Sequence, residues 1–485
     1  MSPRSQKATR LSLVALLVVA GPLLLLLLLL AGSERPATAL PLYAARAGRT
    51  CDNCHADPTG WKNPSLSQRK CSLSCITCHI NPTGGGVRNV SGRYYQSATL
   101  PMWFPSHRPW QDVKRQIGFL RLSKTRRNRV PEAAFLSPIG GSPTMAFDQT
   151  RYNGLRADPF ILLGIDTRYA FYFAGNQGVS ATDSSKNVAL FFPMQLDVHM
   201  ALHPFRYFTA FATAGALAKS RGYAATFKRN TPFMLKDVAL MAHQLPFMGY
   251  VKAGRFLPPF GTYVDDHTAP TRRLFGLDHG LLHSRVTGVE VGVSPNYPYA
   301  NVAVFRPSER DDFSSDDPDN DKNPSFFGKG IGAAASFGWR DLAWSLGMSL
   351  MLRSRDLADG GDTHAIAFNW SLNPWTWIDW LPLTYLGEVV FGDYQRPVSG
   401  QRARRLAATH QLNWLAINGL NIRIRYDFAD PDYEIRDDHY HSFSFGGDLN
   451  LLPNFSIRGE FRWRHNPGEQ RSNTTDGILF VRAWY

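Results

Sequence analysis

The sequence predicts an all-β protein, a transmembrane antiparallel β-barrel of about 16 strands, with a small N-terminal dihaem cytochrome c segment. Three observations predict this architecture. Polar and apolar residues alternate with a period of two from about residue 160 onward, as in strands with one wet and one apolar face. The chain ends on such a strand, Leu479–Tyr485, and a ten-residue motif that could attach haem occurs twice near the N-terminus.

The first 39 residues have the features of a signal peptide. Arg4, Lys7 and Arg10 form a positively charged start, Leu11–Ala31 is an apolar run, and Ala37–Ala39 offers a cleavage site between small residues. The apolar run is long enough to cross a bilayer, so an uncleaved inner-membrane anchor is the alternative. In both cases the rest of the chain is expected outside the cytoplasm.

The duplicated motif reads CDNCHADPTG at Cys51–Gly60 and CITCHINPTG at Cys75–Gly84, with an offset of 24 residues. Two copies at one offset indicate an internal duplication. Cys-x-x-Cys-His is the attachment site of a c-type haem, because two thiols bond to the porphyrin and the adjacent imidazole binds the iron. The sequence therefore predicts two covalently bound haem c groups. The residues expected to hold them are Cys51, Cys54, His55, Cys75, Cys78 and His79.

A structural zinc site is the main alternative for these cysteines. Two Cys-x-x-Cys pairs separated by 20 residues come close to the spacing of a zinc ribbon. That interpretation leaves a His after both pairs unexplained, so haem is favoured. The fifth cysteine, Cys71, belongs to neither copy and has no assigned role.

The positive charge of the chain is concentrated before the barrel. Residues 40–131 hold 15 Lys or Arg and three Asp, a net charge of +12, out of a formal +14 for the whole chain. We divide this region into a dihaem segment, 40–100, and a basic linker or plug, 101–155. An exported chain is not expected to bind nucleic acid, so haem propionates, lumen carboxylates or lipid phosphates are the expected counter-charges. A solvated basic linker is the alternative.

The remaining residues, 156–485, are assigned to an outer-membrane barrel. The polar faces of Leu163–Phe173, Leu420–Phe428 and Phe455–Trp463 carry full charges, whereas their apolar faces are rich in aromatic residues. Charges inside and aromatics outside are typical of a barrel with a wet lumen in lipid. Four carboxylates are predicted to face that lumen: Asp166, Asp197, Asp427 and Glu460. A large soluble exported β-protein is the alternative.

Neither copy of the motif supplies a second, distal ligand to its haem iron. Met102 and His107 are the candidates near the motifs. His199 and His203 alternate with apolar residues in the predicted strand and should face the lumen, where they could complete an iron site from the wall. Histidines that simply line a lumen are the alternative reading of both.

Haem-attachment motifs followed by a barrel of this size resemble the fused cytochrome–porin family of iron-oxidising bacteria. The chain differs from the best-known members in carrying two haem motifs, at Cys51–His55 and Cys75–His79. The resemblance implies an electron conduit in the outer membrane of a Gram-negative bacterium. It also implies a periplasmic electron carrier, an extracellular redox partner such as iron, and outer-membrane lipid as partners. Gly254–Arg272 is similar to a porin strand and loop, and no role is assigned to it.

Three classes of function remain open from the sequence. The first is the electron conduit, with the cationic dihaem segment seated in the lumen against the wall carboxylates, and extracellular metal oxidation as one form of it. The second is a solute porin with a dihaem cytochrome tethered in the periplasm. The third is an exported haem enzyme, but no acid–base group stands near the motifs and no catalytic residue is assigned.

Overall fold

The computed structural model describes residues 79–88, 103, 151–152, 155–156 and most of 160–485. Within the last range the gaps are 176–187, 206, 217–218, 222–223, 227–232, 263–267, 278–283, 295–296, 309–329, 342–343, 355–361, 375–377, 379–380, 396–399, 418, 453 and 467–472. The predictions for the signal peptide, for the first haem motif and for most of the linker therefore lie outside the described residues.

Sixteen strands form one closed antiparallel barrel. In chain order they are β1 (Ile161–Gly175), β2 (Val188–Phe205), β3 (Phe208–Ala216), β4 (Phe233–Leu245), β5 (Gly249–Phe256), β6 (Val286–Val293), β7 (Pro298–Pro307), β8 (Ile331–Arg340), β9 (Trp344–Ser354), β10 (Thr363–Leu372), β11 (Leu383–Gln395), β12 (Arg402–Ile417), β13 (Leu420–Asp430), β14 (Tyr440–Leu452), β15 (Phe455–His465) and β16 (Asn473–Trp484). The predicted fold class and strand number are confirmed.

The last strand closes the barrel against the first. In the β16–β1 ladder, Trp484 lies opposite Asp166. Beyond the ladder, the Tyr485 amide donates to the Ile165 carbonyl at 2.8 Å and the Ile165 amide donates to the Tyr485 carbonyl at 3.1 Å. The ring thus has no open edge, which is the condition for a sheet to cross lipid.

The two ends of the barrel differ in the length of their connections. At one end short turns such as 206–207, 246–248 and 418–419 join the strands, whereas at the other end the connections include 257–285 and 308–330. Outer-membrane barrels place their short turns in the periplasm and their long loops outside. β1 begins and β16 ends at the short-turn end, so the chain enters the barrel from the periplasmic side.

The strands present apolar side chains outward and polar ones inward. In β1, Asp166, Arg168 and Ala170 are buried, whereas Ile165 and Tyr169, at alternate positions, are exposed on the outer surface. Large exposed apolar residues continue around the ring, among them Phe191, Val289, Leu346, Phe391, Ile424, Phe445 and Phe461. A closed barrel with this apolar outer face is an outer-membrane protein, as the sequence predicted.

Two short hairpins, a 3-10 turn at Pro246–Met248 and one α-helical turn lie outside the barrel ladder in the described part of the chain. Arg151–Tyr152 pairs with Leu155–Arg156, and Lys219–Arg221 pairs with Ala224–Thr226. Helix α1 (Pro270–Arg273) lies in the connection between β5 and β6. No helix in the described part of the chain is long and apolar enough to cross a membrane.

Candidate functional site

One arc of the lumen wall, β13–β16 with β1–β4, is lined by ion pairs. Asp166 accepts from both Arg482 Nε, at 3.0 Å, and Arg482 Nη2, at 2.5 Å. Asp197 Oδ1 accepts from Lys236 Nζ at 2.6 Å. Further pairs along this arc are Arg423–Glu460, Arg462–Glu460, Arg425–Asp427, Arg423–Asp448 and Arg462–Asp476.

The lumen carboxylates were expected to attract the cationic N-terminal region, and these ion pairs reduce that attraction. All four predicted carboxylates lie in the lumen, as expected. Each of them is paired with a cation of the wall itself, so the wall already balances much of the charge that was expected to attract the cationic N-terminal region. The N-terminal segment therefore needs specific contacts in addition to general attraction.

The rest of the wall departs from the prediction of a charged lumen. Along β6–β12 many inward positions are small and apolar, and they pack against described residues of the connection between β5 and β6 that lie inside the barrel. Phe260, Phe275 and Leu277 of that connection are almost fully buried. Their apolar cluster includes Phe256, Val286, Ala303, Phe305, Ala334, Met351, Ala365, Ala367, Val390 and Ala407. The alternation of polar and apolar residues did not predict this buried loop. Alanine on an inward face leaves room for a loop, but it does not indicate that a loop fills the room.

Charged wall residues hold this inward loop by its backbone and hydroxyl groups. Glu388 is fully buried and accepts from the Thr262 amide and the Thr271 hydroxyl, each at 2.7 Å. On β9, Arg353 Nη2 donates to the Phe275 carbonyl at 2.5 Å. Two more arginines of the wall, Arg405 and Arg425, donate to Leu274 and Thr268. The loop therefore occupies one side of the lumen as a fixed structure.

Residues 79–88, which follow Cys78 of the second motif, form a compact turn. The Ile80 amide donates to the Val87 carbonyl at 3.0 Å, and the Gly84 amide donates to the Asn81 carbonyl at 2.9 Å. The Asn81 side chain accepts from the Thr83 hydroxyl at 3.1 Å and donates to the Gly84 carbonyl at 3.1 Å. The Asn-Pro-Thr-Gly part of the motif is thus an Asx-type turn, a geometry that asparagine and aspartate favour.

This turn lies inside the barrel, against the wall at the periplasmic half. Lys252 of β5, which is fully buried, donates from Nζ to Asn81 Oδ1 at 3.2 Å. The Arg88 guanidinium lies 5.7 Å from the ring centroid of Trp484, the last residue of β16. Nearby, the Trp103 amide donates to a carbonyl at the periplasmic end of β14, so residue 103 also lies at this rim. The described parts of the N-terminal region therefore lie in or at the lumen.

His79 lies at the start of the turn. Burial, followed by the positive charge of Arg88, lowers the pKa of His79 to about 3, so its imidazole is neutral. Neutral imidazole is the form that binds a metal ion. The backbone of His79 forms an antiparallel β-bridge with the backbone of Arg88. This bridge fixes the direction in which the chain enters the turn.

Of the four candidate distal ligands, His199 and His203 are described. His199 is buried in the lumen, and its Nδ1 lies 2.9 Å from the Thr213 hydroxyl. His203 Nδ1 lies 2.8 Å from the Thr209 hydroxyl, nearer the periplasmic end of β2. Met102 and His107 lie outside the described residues, as do Cys51, Cys54, His55, Cys75 and Cys78. The ligand roles of all these residues stay predictions.

The described residues fit a haem on the second motif in two respects. Gly84, Gly85 and Gly86 have φ values of 91°, 77° and 61°, a left-handed conformation that favours glycine. A Cβ added at Gly85 would meet no described atom within 4 Å, which leaves open space beside the turn. The cation Arg88 lies on the same turn, where its guanidinium suits the propionate carboxylates of a porphyrin. Among the described residues no group of three His, Cys, Asp or Glu could hold a bare metal ion.

Sequence reasoning missed the wall residues that hold these two inserts. Lys252 and Glu388 occupy inward positions of their strands, but alternation assigns a face and not a partner. The available signal was a charged residue with small or apolar neighbours on both sides, as Lys252 in YVKAG and Glu388 in LGEVV. Such a residue is expected to face the lumen and to have a partner there.

Comparison with known proteins finds likeness only among solved structures. No protein-family model matches the sequence, and no curated protein matches it. The chain is similar to the anion-selective porin from Comamonas acidovorans, with 11% identity and a TM-score of 0.47 over 67% of this chain and 99% of that one. It is also similar to OmpT of Vibrio cholerae (7%, TM-score 0.45, 67% and 97%) and to the outer membrane channel DcaP of Acinetobacter baumannii (9%, 0.44, 67% and 97%). Identities this low do not show what this chain carries or binds.

Proposed function

We propose that this protein is an outer-membrane electron conduit, in which haem attached to the N-terminal segment lies within the barrel and connects the periplasm to the outside. The observation that carries the proposal is the position of residues 79–88. This turn contains the last part of the second haem motif, from His79 to Gly84, and it contacts Lys252 and Trp484 inside the lumen. A cytochrome tethered in the periplasm would not need such a seat.

Each of the two haems would be held by its own set of cysteine and histidine residues. Cys75 and Cys78 would hold the second haem and His79 would bind its iron, with Cys51, Cys54 and His55 as the equivalent set for the first. Bound haem supplies an iron that changes between two oxidation states, which gives an otherwise insulating lumen a one-electron centre. Arg88 on the same turn would favour the reduced state of a bound haem, because its positive charge opposes additional positive charge on the iron.

His199 is the described wall residue that best suits a distal ligand. A Cβ built on Gly86 would lie 4.0 Å from His199 Nδ1, so the turn and this imidazole are close neighbours. The Thr213 hydroxyl, 2.9 Å from Nδ1, orients the ring and leaves Nε2 available, as outer-shell partners do for metal-binding histidines. His203 lies two inward positions nearer the periplasm, where its Nδ1 is 2.8 Å from the Thr209 hydroxyl.

Transfer of electrons across a sealed bilayer tests the conduit. Purified protein would be inserted into liposomes loaded with a redox dye, and a membrane-impermeant reductant would be added outside. The proposal predicts dye reduction by the intact protein and its loss in Cys78→Ala, which removes one haem attachment. Equal dye reduction by liposomes without protein, or none by protein that carries both haems, would contradict it.

A solute porin is the second candidate, because the ion-paired arc of β13–β16 and β1–β4 offers a polar path beside the inward loop. In that case the N-terminal region would be displaced from the lumen when the barrel is in use. Free passage of ions and small solutes through the intact protein, with no electron transfer, would favour the porin over the conduit.

A further inference from the structure

The seat of the N-terminal turn contains a completely buried ion pair. Lys252 of β5 lies directly opposite Glu290 of β6 in the sheet, and Nζ is 3.0 Å from Glu290 Oε1. Both side chains are 0% exposed. Tyr250 donates its hydroxyl to the same Glu290 oxygen at 2.6 Å, and the Phe256 ring lies 4.3 Å from Nζ. The pair is therefore electrically balanced in a site from which water is excluded.

Asn81 is the third member of this group. Its Oδ1 accepts from Lys252 Nζ at 3.2 Å, while the rest of its carboxamide maintains the Asx-type turn. A carboxamide carries no charge, so lysine, glutamate and asparagine together sum to zero. Burial of unbalanced charge is costly, whereas a balanced and hydrogen-bonded group can be accommodated.

The first copy of the motif differs at this position. Where the second copy reads INPTG with Asn81, the first reads ADPTG with Asp57. An aspartate seated on Lys252 would bring a second carboxylate beside Glu290 and leave one negative charge without a counter-charge. Two carboxylates that share one site cannot both remain ionised without cost.

We infer that the Lys252–Glu290 pair is a docking site that selects the second copy of the duplicated unit, because it accepts Asn81 and disfavours Asp57. The site thereby determines which haem-binding unit lies at the periplasmic half of the lumen. This inference concerns the order of the two units and rests on contacts of the chain itself. The docking of Asn81 on Lys252 does not require haem to be present. The docking site can therefore be refuted while the proposed electron conduit stands, and the conduit can be refuted while the docking site stands.

Hydrogen exchange of the Ile80 and Gly84 amides measures docking directly, since both amides are hydrogen-bonded in the seated turn. Exchange would be followed by mass spectrometry in the full-length, detergent-solubilised protein. Asn81→Asp should accelerate exchange of residues 79–88 by about tenfold or more, because it adds an unbalanced buried charge. The double variant Asn81→Asp with Glu290→Gln should exchange more slowly than Asn81→Asp alone, because lysine and aspartate again sum to zero while both variants equally lack the carboxamide donor to the Gly84 carbonyl.

Two controls separate docking from general damage. Asn473→Asp makes the same chemical change on an exposed residue at the extracellular end of β16, and exchange of residues 79–88 should not change. Exchange of the β16 amides reports whether the barrel itself is intact in each variant.

If Asn81→Asp does not assemble, Glu290→Gln alone provides the same test, since it leaves Lys252 without a counter-charge and should also accelerate exchange at 79–88. The inference is overturned if the assembled Asn81→Asp variant exchanges as slowly as the wild type. It is equally overturned if Glu290→Gln fails to rescue Asn81→Asp, or if Glu290→Gln alone has no effect.

Discussion

Among individual residues, Glu388 connects two separate parts of the inward loop to the barrel wall. It accepts hydrogen bonds from the Thr262 amide and the Thr271 hydroxyl, on both sides of an undescribed stretch of the same loop. Glu388→Ala would leave both donors without this acceptor, at a cost of about 1–3 kcal/mol for each buried group. We expect a lower temperature for the loss of the compact band in heat-modifiable gel mobility, and faster proteolysis within 257–285.

Glu434→Ala is the matched control for Glu388→Ala. Glu434 is an exposed glutamate in the connection between β13 and β14, so its removal should leave both measurements unchanged. Equal stability and equal proteolysis of the loop in the two variants would show that the loop does not depend on Glu388.

Substitution of Cys78 tests the prediction that haem is covalently attached to the second motif. Cys78→Ala removes one of the two thioether bonds expected at the second motif, so one haem should be lost or become extractable. Mass spectrometry of the mature protein should show two haem additions in the wild type. Cys71→Ala should keep both, because Cys71 belongs to neither motif. Bound zinc without haem absorbance would contradict the assignment and favour the zinc site.

At the scale of elements, the strands β1–β16 show which face of the sheet meets lipid. Ile424 of β13 is about half exposed on the outer face, between the buried inward residues Arg423 and Arg425. Ile424→Arg should reduce the free energy of unfolding from lipid by about 2–4 kcal/mol, as for an arginine facing the bilayer midplane. Titration with denaturant in lipid vesicles measures this change.

Ile435→Arg is the control for the lipid-facing substitution. Ile435 is similarly exposed, but it lies in the extracellular connection 431–439, where arginine meets water. The free energy of unfolding of the Ile435→Arg variant should stay within about 0.5 kcal/mol of the wild-type value. A comparable loss in both variants would argue against the assignment of the outer face.

The elements also show how far the sequence could predict the fold. Strict alternation in Leu163–Phe173 and Leu420–Phe428 predicted strands, faces and membrane location, because burial on one side of a sheet has a period of two. The loop between β5 and β6 was not predicted. Its residues Phe260, Phe275 and Leu277 are buried by contact with alanines distant in sequence, and no local pattern records such contacts.

At the scale of the whole molecule, two separate segments of the chain occupy the lumen. The inward loop and its apolar cluster fill one side, and residues 79–88 are seated near the periplasmic end of the other. The sequence predicted, from its positive charge, that the dihaem segment would lie in the lumen. It could not predict Lys252 as the seat, because that contact joins residues 171 positions apart and depends on barrel closure.

The ion conductance of the whole protein in a planar lipid bilayer tests most directly the central claim that the N-terminal region occupies the lumen. The account predicts little conductance for the intact chain, since the inward loop and the seated segment together obstruct the path. Deletion of residues 40–131 should open a stable pore, and a deletion variant that also carries Glu388→Ala should conduct more. An intact protein that conducts ions as freely as the deletion variant would contradict the claim.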